Sequence, residues 1–141
     1  MTDKLGVADY PLAEKRPELV RGAGGKPLEQ ITLDGVVSGA VTRDDLRITP
    51  EALRQQAEIA RAAGRATLAA NFERAVELCD VPQDVIMGVY ELLRPGRAKD
   101  KAPLLEAART LRETYGANRM AAFVEEAAAV YERLGLFTYR F

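Results

Sequence analysis

Residues 41–93 read VTRDDLRITPEALRQQAEIARAAGRATLAANFERAVELCDVPQDVIMGVYELL, and this stretch decides the fold class. Thr49 is a strong helix N-cap, because its hydroxyl can accept from an orphan backbone N–H, and Pro50 suits the first helical position, where no donor is needed. Glu51 meets the positive end of the helix dipole. Leu53, Ala57, Ala60 and Ala63 then recur at helical spacing until Gly64, the natural residue for a left-handed C-terminal cap. A second helix follows with Leu68, Ala69, Phe72, Ala75, Val76 and Cys79 on one stripe. Asp80, Val81 and Pro82 break it, since the residue before a proline is pushed out of the α region. A third helix places Ile86, Val89, Tyr90 and Leu93 on one face, and Arg94, Pro95 and Gly96 stop it. Connections this short favour antiparallel neighbours.

The same signals extend in both directions. Pro103 begins a fourth helix with Leu104, Ala108, Leu111 and Tyr115 on one face, ended by Gly116. Asn118 is the expected cap of a fifth, whose stripe is Met120, Phe123, Val124, Ala127, Tyr131 and Leu134 and whose end is Gly135. Upstream, Thr32 caps a turn through Leu33, Val36 and Val37 that Gly39 closes, and Thr42 with Asp45 resembles a capping box. Ile48 is placed to staple to Leu53. The expected fold is all-α, a compact bundle of about five helices over residues 31–141, behind an extended N-terminal arm over residues 1–30. That arm holds Gly6, Pro11, Pro17, Gly22, Gly24, Gly25 and Pro27 without periodicity, yet Val7, Tyr10, Leu12, Leu19, Val20 and Leu28 are scattered through it. It reads as a strap on another surface or as a tail packed on its own helices. The C-terminal LFTYRF, with Phe137, Tyr139 and Phe141, reads as a docking segment for the chain itself or for a partner.

Composition bounds the chemistry. The 141 residues are enough for one domain with a core of its own. Of the 48% hydrophobic residues, however, 23 are alanine, so the core is thin and surplus apolar segments lie outside it. The chain has no histidine and one cysteine, which removes the imidazole of a Cys–His pair or a Ser–His–Asp triad and the thiolates of a zinc site. We therefore expect no catalytic, cofactor-binding or metal-binding residue in this chain. Lys and Arg (20) balance Asp and Glu (21), so no global field attracts phosphate backbones and nucleic acid is disfavoured. No apolar run of about 18 residues and no signal-peptide pattern is present, so neither a membrane span nor a leader is expected. A single unpaired cysteine fits a reducing compartment, the cytoplasm.

Five features invite a sharper reading. Arg54, Arg61 and Arg65 share a helical face and would make an anion site or an interface anchor, but i to i+4 pairing on a solvated face is the simpler account. Arg94, Arg97, Lys99 and Lys101 surround Asp100 without a phosphate-cradling glycine motif and read as a solvated loop. GAGG at residues 22–25 is not GxGxxG, with no strand before it and no helix directly after it. Asp44 with Asp45, and Glu125 with Glu126, are neighbours about 100° apart on a helix and form no shared-proton dyad. Cys79, on the apolar stripe, reads as a small core hydrophobe.

The run DDLRITPEALRQQAEIARAAGRATLAANFERAVEL, then VPQDVIMGVYELLRPGRA and AAFVEEAAAVY, resembles the small (gamma) subunit of adenosylcobalamin-dependent diol and glycerol dehydratases. Tyr10, Pro11 and Leu12 and the segment ITLDGVVSGAVT fit the same pattern, so the likeness runs from about residue 10 to about residue 131. The resemblance implies a dimer of heterotrimers with large (alpha) and medium (beta) subunits. In such an enzyme adenosylcobalamin is bound by those partners, and the large subunit performs radical dehydration of propane-1,2-diol or glycerol to an aldehyde. It implies a small subunit that supports the large one without a catalytic side chain, in the cytoplasm or within a bacterial microcompartment. Nine residues precede Tyr10, where many diol dehydratase small subunits carry a longer polar extension, which leaves encapsulation open. The competing expectation is a stand-alone helical adaptor or regulatory module, which a sharply basic helix face would have favoured.

Overall fold

A computed structural model describes residues 4–137, and every regular element in them is helical. The α-helices are α1 (Leu12–Lys15), α2 (Leu33–Ser38), α3 (Pro50–Ala62), α4 (Ala66–Leu78), α5 (Gln83–Leu93), α6 (Ala102–Tyr115) and α7 (Asn118–Leu134). Short 3-10 turns at Val7–Asp9, Pro17–Leu19, Leu28–Gln30 and Arg43–Leu46 fill the first third. The fold is all-α, and α3 to α7 are the five long helices that the periodicity predicts. The chain divides into two compact units, Met1–Cys79 and Asp80–Phe141.

In the first unit the Thr49 hydroxyl accepts from Ala52 N–H at 3.1 Å, with Pro50 opening α3. Gly64, at φ +75°, turns the chain out of the helix, and α4 starts two residues later. Ala57 and Ala60 of α3 and Ala69 of α4 form the buried seam, with Phe72 partly covered beside it. Alanine contacts let the two helix backbones approach closely. The stripe expected on α4 is therefore only partly buried: Ala69 is covered fully, Phe72, Ala75, Val76 and Cys79 by half, and Leu68 lies open. Cys79 is thus a half-buried residue at the C-terminal end of α4, its thiol directed at Ala75 O at 3.6 Å, and not a core side chain.

Residues 4–30 are short turns joined by extended backbone at Tyr10, Pro11, Val20 and Pro27. Leu5 and Leu12 are buried on Ile59 of α3, with Leu19 and Val20 packed around them. Leu5 N–H donates to Glu58 Oε2 at 3.1 Å, which fastens the segment to the same helix. The predicted caps at Thr32 and Thr42 form: Thr32 accepts from Gly35 N–H, and Gly39 closes α2 at φ +81°. Ile48 stays exposed while Leu53 is buried.

The second unit is built on α6 and α7. Leu104, Ala108 and Leu111 of α6 and Ala121, Val124 and Ala128 of α7 are fully enclosed, with Ala117 between the helices. This corrects two expectations. Asn118 is the first helical residue and not the cap; Ala117 takes that place because its N–H is bound back to Leu111 O at 2.9 Å, bringing the chain into α7 one residue early. The buried line of α7 runs through 117, 121, 124 and 128, so Phe123 and Leu134 face outward. On α5, Val89 is buried and Ile86 and Leu93 half-buried, but Tyr90 is exposed. Arg112 grips Glu125 through two bonds of 2.6 and 3.0 Å across the α6–α7 pair. The Tyr131 hydroxyl donates to Leu93 O at 2.6 Å, and its ring meets Phe137 edge-on at 6.1 Å. Gly96 N–H donates to Leu136 O, so residues 136 and 137 fold back on their own unit. Tyr139 and Phe141 lie outside the described residues.

Candidate subunit interface

Most of the charged constellations in the sequence pair internally. Arg54 lies 3.8 Å from Glu51, and Arg61 holds Glu73 of α4 at 2.5 Å. Glu58, four after Arg54, instead receives Leu5 N–H. In the loop after α5, Arg94 and Arg97 both turn to Glu91, and Lys101 reaches Glu132 at 2.9 Å. These distances favour the solvated, paired reading over an anion site. Among the described residues no three His, Cys, Asp or Glu side chains stand where they could hold a metal ion. No described helix is long and apolar enough to cross a membrane.

Neighbouring acids diverge. Asp44 is open to solvent with Arg47 at 3.9 Å, whereas the Asp45 side chain is only 5% exposed. Asp45 Oδ2 accepts from Thr42 N–H at 2.9 Å and from the Thr42 hydroxyl at 3.3 Å. Lys26 Nζ reaches both carboxylate oxygens at 3.0 and 3.1 Å. The Thr42 amide first, and Lys26 second, hold the carboxyl below the usual aspartate range.

The Gly-rich run that failed as a dinucleotide motif closes over this carboxylate. Gly22 N–H donates to Lys26 O at 2.9 Å, Gly25 N–H to Gly22 O, and Arg21 pairs with Pro27 in an isolated antiparallel bridge. A methyl group on Gly22 would sit 2.8 Å from Asp45 O, and one on Gly24 would sit 2.9 Å from Asp45 Oδ1. Residues 21–27 are therefore a clasp, with Gly22 and Gly24 there because the loop lies against Asp45 without room for a side chain, and Gly25 because the turn takes φ +84°. Sequence reasoning missed this pairing; the signal available was Lys26 placed directly after two close-spaced glycines.

The clasp and the Thr42–Asp45 turn hold a segment that buries little of its own apolar surface. Gly35 packs on Val41, with Val41 N–H on Gly35 O at 2.9 Å, and Val41 is buried. In the same segment of sequence Leu33 is 77% exposed, Val37 79%, Ile48 66% and Leu46 60%, and Val36 is also open. Leu33, Val36 and Val37 stand at i, i+3 and i+4, one face of α2. Five aliphatic side chains open to water within sixteen residues are the mark of an interaction surface. A smaller exposed pair, Met87 and Tyr90, lies on α5 beside Gly88, where an added methyl would meet nothing within 4 Å.

An all-α chain that pairs most of its charged clusters internally and leaves five aliphatic side chains open within one short segment has the build of an accessory subunit. The comparisons make the class specific. The family model for the dehydratase small subunit matches residues 5–137, and the chain belongs to that family. The propanediol dehydratase small subunit of Citrobacter freundii is 54% identical over 125 residues, which cover 89% of this chain and 72% of that one. The propanediol dehydratase small subunit of Salmonella typhimurium strain LT2 matches with the same identity and coverage. The chain is thus a subunit of a dehydratase, a lyase built from more than one kind of chain.

Proposed function

We propose that this chain is the non-catalytic small subunit of a coenzyme B12-dependent propanediol dehydratase in the cytoplasm. In this reading it assembles with large and medium subunits as a dimer of heterotrimers, and the large subunit dehydrates propane-1,2-diol to an aldehyde. The observation that carries the reading is the 54% identity to two propanediol dehydratase small subunits over 89% of the chain. The exposed aliphatic surface of residues 33–48 supports it, since a subunit completes its burial against its partners. The segment this chain leaves open is mainly aliphatic, which suits a protein contact better than the polar amide rim of a corrin. In this reading adenosylcobalamin is bound by the partner subunits. Residues 1–30 serve as an arm that straps α3 and carries the clasp, and residues 31–141 as the helical body.

The test is reconstitution. The chain is mixed with the large and medium subunits from the same genome, and the mixture is separated by gel filtration and assayed with adenosylcobalamin and propane-1,2-diol. Co-elution of all three chains, with aldehyde formed by the complex and none by this chain alone, is expected. Turnover by this chain in isolation, or its failure to co-elute, overturns the proposal.

A further inference from the structure

We infer that residues 33–48, centred on Leu33, Val36 and Val37, are the surface by which this chain seats in an uncharged aliphatic groove of a larger dehydratase subunit. The inference rests on the subunit assignment above and adds where the contact is made. Three observations carry it.

The first is area. At about 25 cal/mol per Å², the usual burial energy of an aliphatic side chain corresponds to roughly 60–120 Å², and since about two thirds of each is open on average, the five side chains offer roughly 200–400 Å². That is about a quarter to a half of the ~800 Å² that one partner contributes to a stable interface, and it is apolar, as an interface core is. The second is charge placement. Leu33, Val36 and Val37 share a face without a charge among them, while Asp34, Arg43 and the Asp44–Arg47 pair are exposed elsewhere in the segment, charges of both signs that nearly cancel. An aliphatic floor with a polar rim is the complementary partner, and nucleic acid or an anionic lipid surface is not.

The third is pre-organisation. A helix of six residues has no stability of its own in water. Here α2 is fixed by the Thr32 cap, by the left-handed Gly39 and by the packing of Gly35 on Val41, and the Lys26–Asp45 clasp fixes the turn that follows. The ordering cost of the segment is met inside the free chain, so its exposed side chains meet a partner already in place.

The double variant Leu33→Asp/Val37→Asp tests this in the three-chain complex, with affinity for the other two subunits read by gel filtration and by titration. Both residues are exposed, so circular dichroism of the variant should match the parent. Affinity should fall about 100-fold or more, and the conservative pair Leu33→Met/Val37→Ile should stay within about threefold of the parent. If the parent assembles and the Asp pair assembles equally well, the docking surface is elsewhere and the inference fails while the subunit assignment stands. If the parent itself does not assemble, the assignment fails first. If the Asp pair abolishes only self-association of the isolated chain, the surface belongs to a second copy and the inference is overturned.

Discussion

Leu33 and Leu53 lie in the same unit, twenty positions apart, and truncating each to alanine removes the same atoms from opposite environments. Leu53 is 5% exposed on α3 and Leu33 is 77% exposed on α2. Removing about three methyl or methylene groups from a buried site costs about 2.4 kcal/mol in transfer, and the cavity left behind raises Leu53→Ala to about 3–4 kcal/mol. At Leu33 roughly a quarter of that transfer term applies and no cavity forms, so Leu33→Ala costs about 0.5 kcal/mol. Urea unfolding followed by circular dichroism reads both as midpoint shifts at unchanged slope. The order should reverse in assembly with the partner subunits, where Leu33→Ala is the damaging change. Equal destabilisation of the isolated chain by the two variants would refute the reasoning, because α2 would then be part of the core and not a surface held out for a partner.

Two further outcomes test the clasp and the second unit. The Asp45 carboxyl is held below its ordinary range in the folded chain, first by Thr42 N–H and then by Lys26, so the unfolded chain binds its proton more readily. The contribution is complete above the ordinary aspartate range and is lost as pH falls through the lowered folded value. The gap in urea midpoint between the parent and Asp45→Asn should therefore close in acid, and a gap that stays constant would place the acid sensitivity elsewhere, in Asp9, Glu18 or Glu125, which are lowered too. Gly88 lies inside α5 with nothing within 4 Å of an added methyl, so Gly88→Ala should stabilise the isolated chain by about 1 kcal/mol, roughly 2–4 °C in Tm. A lower Tm by scanning calorimetry would mean that this position is constrained by something other than helix propensity.

The parts of the fold that were legible are those decided within a few residues. A cap needs one hydroxyl and one N–H three positions on, and Thr49 on Ala52 and Thr32 on Gly35 are such pairs. A helix end needs one residue that tolerates positive φ, and Gly39, Gly64, Gly116 and Gly135 supply it. The clasp was not legible, because Lys26 and Asp45 are nineteen residues apart and a pair of glycines does not state what they make room for. The glycines became informative only once Asp45 O and Oδ1 stood where their side chains would be.

The misread face of α7 has a more general cause. Its sequence offers a bulky stripe through Met120, Phe123, Val124, Ala127, Tyr131 and Leu134 and a small one through Ala117, Ala121, Val124 and Ala128, which share Val124 alone. Hydrophobicity alone prefers the bulky stripe, but burial is decided by volume across the contact. Because α6 brings Leu104 and Leu111 to the seam, the facing helix must yield space, and alanines do so while Phe123 is left at the rim. The same trade operates at α3 and α4, where Ala57, Ala60 and Ala69 close the contact and Leu68 is left outside. A chain that seals its helices with alanine buries little area in doing so, and large aliphatic side chains such as Leu33, Val37 and Leu68 stay on the surface.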